Sequence, residues 1–170
     1  MKKLVFIFTT VVALTLSQFA TAQKTIVDVA VGNEDFSTLV AALTAADLVG
    51  ALQGDGPFTV FAPNNDAFAK IDSATLNSLL EPKNKEALSN ILTYHVVSGK
   101  LAASDVVAAL KKGKGKVELK ALNGQTITVL QKDGKIWLKD QNNNYSEIIA
   151  TDVMGSNGVI HVIDSVVMPK

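Results

Sequence analysis

The chain contains no cysteine and no arginine, only two histidines, a single tryptophan and four prolines in 170 residues. Each shortage excludes something. Without cysteine there are no disulfides, no thiol catalysis, no iron–sulfur cluster and no cysteine–zinc site. A lipid-modified cysteine is excluded as well. Without arginine the chain lacks the planar fork that clamps phosphate, carboxylate or guanine at two points. Nucleic acid is therefore not an expected partner. With His95 and His161 alone, a zinc site would need carboxylates to complete it, and neither a metal nor any other cofactor is expected. Net charge is also missing: sixteen lysines face sixteen acids. No overall field draws such a chain to a polyanion or to an anionic membrane.

A long hydrophobic run is missing too. The longest, Leu4–Leu16, has 13 residues, and a membrane span needs about 20. It follows Lys2-Lys3 and precedes Ala20-Thr21-Ala22. A basic start, a short apolar stretch and a small-residue site read as a cleavable export signal over residues 1–22, with no twin-arginine pair. The expected mature chain, residues 23–170, has two more acids than lysines and a length suited to one domain with a real core. It is expected to be periplasmic or secreted, and not membrane-spanning.

The pattern of that mature region changes halfway. Its first half has apolar residues at helical spacing behind capping residues: Asp35 before Phe36, Leu39, Val40 and Leu43; Asp47 before Leu48, Val49 and Leu52; Ser73 before Leu76, Leu79 and Leu80; Asn84 before Leu88, Ile91 and Leu92; Ser104 before Val106, Val107 and Leu110. Its second half reads as strands at 117–122, 126–130, 136–138, 145–150 and 159–167. Asn123-Gly124 and Asp133-Gly134, the strongest short hairpin signals, join the first three. No repeat or linker interrupts the region. The expectation is one α+β domain, helices first and an antiparallel meander after.

The stretch FTVFAPNNDAF, residues 58–68, poses a separate question. An apolar strand stops on Pro63, and two asparagines and an aspartate follow. Either this is a ligand loop at a strand end or a corner that turns a strand into a helix. Proline holds the residue before it extended. Asn64 and Asp66 can bond backbone N–H groups as a helix carrying Phe68 and Ile71 begins. The corner reading is the expectation.

FTVFAPNNDAF, YHVVSGKL (94–101) and TDVMGSNGVIHVIDSVVMP (151–169), in this order, resemble the signature blocks of the fasciclin (FAS1) domain family. The resemblance covers about residues 24–169. It implies a wedge-shaped antiparallel β-sandwich with several short helices packed along one side. It also implies a non-catalytic role in adhesion or in extracellular matrix or biofilm association. The partner would be a cell-surface protein or an extracellular polysaccharide. A small-ligand carrier and a periplasmic hydrolase are the alternative readings.

The resemblance singles out Tyr94 and His95, which match a pair implicated in receptor binding in animal members. Read as a strand, the pair would place one side chain inward and one outward. A buried, hydrogen-bonded pair locking sheet to helix is the plainer reading. Asp152-Val153 matches a segment implicated in integrin recognition, with Val153 in place of isoleucine and Ala150-Thr151 in place of Glu-Pro. The plainer reading of Asp152 is a cap for backbone groups near the turn at 156–158. His161, in the apolar run GVIHVIDSV, reads as a satisfied core histidine. Lys111, Lys112, Lys114 and Lys116 form a solvated loop or a weak contact for polyanions. Trp137 faces outward as a contact residue if Ile136 and Leu138 face inward, and is core otherwise.

Overall fold

The computed structural model describes residues 24–170; the export signal and the cleavage point expected at residues 1–23 lie outside them. The described chain carries seven α-helices and seven strands. Short helices α1 (Ile26–Val31), α2 (Ser37–Ala45) and α3 (Val49–Gln53) lead into β1 (Phe58–Pro63). Then come α4 (Asn65–Ala69), α5 (Ser73–Leu80), α6 (Lys85–Tyr94), β2 (Val96–Ser98) and α7 (Ala103–Lys112). The remaining strands follow as a run: β3 (Lys116–Lys120), β4 (Thr126–Lys132), β5 (Lys135–Lys139), β6 (Tyr145–Gly155) and β7 (Gly158–Ile163). The α+β class expected from the sequence is the class observed.

The strand order is β2-β1-β7-β6-β5-β4-β3. Neighbours pair antiparallel except β1 and β7, which run parallel from Phe58↔Gly158 to Pro63↔Ile163. A meander forms from local turns, but this pair joins strands about a hundred residues apart, so no turn residue announces it. β6 is the hinge of the sheet. Its first half pairs with β5 and its second with β7, and register shifts between Ile148 and Val153 bend it. The far ends approach each other at the bridge Val97↔Ala121.

Two apolar cores result. In the first, α1, α2, α3 and α6 cover one face of β1 and β7, burying Phe36, Leu39, Leu43, Leu88, Leu92, Ala62 and Ile160. The second lies inside the curved sheet, where Phe61, Tyr94, Leu110, Ile127, Val129, Leu138 and Ile163 meet. Alternation along β1 divides its side chains between the two: Val60 and Ala62 go to one, Phe61 to the other.

The proline corner forms, but through Asn64 and Asn65 and not through Asp66. Asn64 caps α4 by accepting the Ala67 N–H at 2.8 Å. Asn65 then ties α4 to the start of α2: its amide donates to Glu34 O at 2.9 Å and its oxygen accepts the Thr38 N–H at 3.1 Å. Several caps differ from those expected. Asn33, not Asp35, bonds the first turn before α2. Asp47 sits at φ 59° and starts no helix. α1, which no capping signal above announces, begins with a reciprocal capping box between Thr25 and Asp28.

Candidate functional site

Tyr94 and His95 do not lie in a strand. Tyr94 ends α6 and His95 caps it, and both point inward, at 0% and 3% exposure. The last two helical turns carry the spacing Leu88, Leu92, His95 into the core, whereas a strand would have turned one of the pair to solvent. The Tyr94 hydroxyl donates to Thr126 O at 3.0 Å, tying α6 to β4. Burial, and then the charge of Asp140, push its pKa up to about 12. His95 Nδ1 donates to Ile91 O at 2.8 Å, so Nε2 is the acceptor, and it takes the Val167 N–H at 3.3 Å. Burial lowers the His95 pKa to about 4, against the opposing bond to Ile91. The ring is neutral at physiological pH and both nitrogens are committed.

His161 is held the same way. Its ring stacks on Phe61 at 5.8 Å, and Nε2 donates to Leu101 O at 2.8 Å. Nδ1 accepts the Asp152 N–H at 3.4 Å. Neither histidine offers a free nitrogen to a metal or a substrate proton. Among the described residues no group of three histidine or acidic side chains is placed to hold a metal ion.

Asp152 sits at the β6 bend, exposed, with φ 59°. Its carboxylate accepts the Ala103 N–H at 2.8 Å, the first turn of α7. Ala102 precedes that helix and has no side-chain oxygen with which to cap it, so the cap comes from β6. This is a capping role, but at α7 and not at the 156–158 turn. That turn is held by Asn157, whose side chain bonds Ile26 N, Leu52 O and Gly54 O at 2.8–3.0 Å. Val153 pairs with Ile160 and packs on the helical core. Tyr94, His95, Asp152 and Val153 thus do not make one exposed edge. They are pins between elements, and the loop from Gly99 to Ala102 is fastened between them by Thr59, whose hydroxyl donates to Gly99 O and accepts from Leu101 N.

The lysine segment divides. Lys111 and Lys112 stand in the last turn of α7, where cations complement the helix dipole. Lys114 lies in the turn at φ 54°. Lys116 belongs to β3 and pairs with Glu118 at 2.8 Å.

Trp137 settles outward. Leu138 is fully buried and Ile136 packs on the inner core, so Trp137 lies on the opposite, outer face of β5. There it pairs with Leu130 of β4 and Glu147 of β6. Two residues along, Lys139 pairs with Thr128 and with Tyr145, and its Nζ lies 5.8 Å from the Tyr145 ring centroid. Tyr145 is 51% exposed. Leu130 and Tyr145 line two adjoining open depressions: one of about 520 Å³ with Lys116, Thr126, Thr128 and Lys139, and one of about 220 Å³ with Lys132 and Trp137. Of the residues expected to carry contacts, Trp137 and Lys116 meet on this face.

Leu130, Lys132, Lys139 and Tyr145 were not singled out from the sequence, though the signal was present. Asp133 and Gly134 both take positive φ, the two-residue hairpin turn that pairs Lys132 with Lys135. Counting back by two from that pair puts Leu130 beside Trp137.

Comparison with known proteins agrees with this architecture. The fasciclin domain family matches residues 34–169. Protein sll1483 of Synechocystis is 52% identical over 155 residues, covering 91% of this chain and 79% of the relative. Immunogenic protein MPB70 of Mycobacterium bovis is 33% identical over 153 residues, covering 87% of this chain and 70% of the relative. The pig transforming growth factor-beta-induced protein ig-h3 is 37% identical over 145 residues, 85% of this chain but 19% of that longer protein. A solved FAS1 domain pair from the insect cell adhesion molecule fasciclin I superposes with a TM-score of 0.73 over 84% of this chain and 50% of that one, at 20% identity.

Proposed function

Because the chain belongs to the fasciclin domain family, we propose that it is an exported binding module. It acts in cell adhesion or in association with extracellular matrix or biofilm, and does no catalysis of its own. The observation that carries this reading is the contrast between the two sides of the molecule. The residues most suited to chemistry, His95 and His161, have every ring nitrogen bonded to the backbone. The aromatic residues most suited to contact, Trp137 and Tyr145, lie together on an open sheet face. Rigid aromatic side chains on a fixed scaffold give contact area at low entropic cost.

The carrier reading loses support from the interior. The gap among Ile26, Val27, Leu39, Leu43, Leu52 and Ile160 is about 20 Å³, roughly the room of one water, where a small-molecule site needs about 300 Å³ or more.

The test has two arms. A strain lacking the gene is compared with its parent for attachment to several surfaces. The purified protein is screened for binding to whole cells and matrix polymers, alongside a broad hydrolase screen. Reduced attachment and saturable binding without turnover are expected. Turnover of any substrate, or unchanged attachment with no binding anywhere, would overturn the proposal.

A further inference from the structure

The outer face of β3–β6 has a charge that the chain as a whole does not. Its charged outward positions are Lys116, Glu118 and Lys120 on β3, Lys132 on β4, Lys135 and Lys139 on β5, and Glu147 on β6, in register around Trp137. That is five lysines against two glutamates, in a chain of zero net charge. Both glutamates are already taken: Glu118 by Lys116 and Glu147 by Lys135, each at 2.8 Å. Lys132 and Lys139 have no carboxylate partner among the described residues. They stand two positions from Leu130 and Trp137 along their strands, roughly 7 Å away, so one cation lies toward each end of the aromatic patch. Asp140, just past β5, also borders the larger depression, but its carboxylate is buried and committed: it accepts Asn142 N, Asn144 N and Met168 N at 2.8–3.1 Å.

We infer that this face binds an acidic polysaccharide, a chain of uronate-type sugars. Pyranose rings lie on Trp137 and Tyr145, and carboxylates meet Lys132 and Lys139. The inference rests on the binding-module reading above and names its ligand class. Four features select this occupant. The depressions are open and continuous through Leu130 and Tyr145, which suits a polymer running across the sheet more than an enclosed small molecule. The smaller one is lined by Trp137 and Tyr145, and Tyr145 continues into the larger; aromatic rings are the surface that stacks on the apolar face of a sugar. Thr126, Thr128, Gln141 and Asn143 rim the larger depression with hydroxyl and amide groups. The unpaired charges are ammonium groups, which pair with carboxylates as point charges without a fixed bidentate geometry.

Trp137 is the sole tryptophan, so its fluorescence reports on this face alone. The purified protein is titrated with polygalacturonate and, in parallel, with dextran as the uncharged control, at low and high salt. Saturable change in Trp137 emission with polygalacturonate, weakened at high salt and absent with dextran, is expected. Calorimetry on Tyr145→Ala should show affinity reduced at least tenfold. Lys132→Gln with Lys139→Gln should remove the salt dependence, with circular dichroism unchanged in each variant. Three results would overturn the inference: no emission change at saturating polygalacturonate, equal response to dextran, or full affinity in all the face variants. Binding to cells that protease abolishes and uronate lyase does not would also overturn it. That last outcome would leave the adhesion-module reading standing with a protein partner, so the two proposals fail separately.

Discussion

Asp152 Oδ1 and the Ala103 N–H are bonded at 2.8 Å across 49 residues of sequence. The bond joins the bend of β6 to the first turn of α7, whose N-cap residue, Ala102, has no side-chain oxygen of its own. The same residue donates its backbone N–H to His161, and His161 in turn holds Leu101. A residue that sequence resemblance offers as a contact for partners is here a clamp between two elements.

Asp152→Ala should therefore destabilise the fold by about 1 kcal/mol, the usual loss for an N-cap. Asp152→Asn, which keeps an acceptor and tolerates positive φ, should lose less. Urea denaturation of the three proteins checks this. Equal midpoints would remove the clamp.

The buried His95 sets a pH dependence. Its folded pKa is about 4, below the ordinary value of about 6.5, so the unfolded chain binds the proton more readily. Its contribution is complete above about pH 6.5 and is lost as pH falls toward 4. The full span is on the order of 3 kcal/mol. Denaturation between pH 7 and 4.5 should show the decline in the wild type and a flatter profile in a folded His95→Gln variant. The same slope in both would contradict the assignment.

Much of this architecture was legible. The Asp133-Gly134 turn placed β4 and β5 correctly, and the Leu88–Leu92 spacing placed α6. Tyr94-His95 reads as a strand because two bulky residues followed by Val96-Val97 look like a strand start, although the α6 period runs through to His95. The β1–β7 pairing left no local trace, since parallel strands are joined by no turn. Asp152 is legible as a cap, but its partner is not, for the same reason: Ala103 lies 49 residues away, and Ser104, the capping residue the sequence offers for α7, falls inside the helix. The outer face was half legible, because the register of Trp137 depended on whether Leu138 was buried.

Tyr94→Phe should lose about 1 kcal/mol, from the hydroxyl bond to Thr126 O. It should leave polymer and cell binding unchanged, since the side chain does not reach the surface. A binding defect in a variant of native stability would return the pair to the contact surface.

Gly113 closes α7, and a Cβ there would lie 1.9 Å from Lys116 O. A backbone carbonyl cannot yield as a flexible side chain does. Gly113→Ala should shift the start of β3 and cost more than Gly134→Ala, where φ is 77° but the surrounding space is open. The latter should cost about 1 kcal/mol. Thermal midpoints of the two variants compare them directly, and a smaller loss for Gly113→Ala would refute the close approach.

The central claim is that contact is made by the outer face of β3–β6 and not by the Tyr94–His95 or Asp152–Val153 segments. Amide hydrogen exchange of the protein, free and bound to matrix polymer or cells, tests it most directly. The account predicts slowed exchange in β4, β5 and the start of β6, around Leu130, Trp137 and Tyr145, with 94–103 and 151–158 unchanged. Protection confined to 94–103 and 151–158 would contradict it.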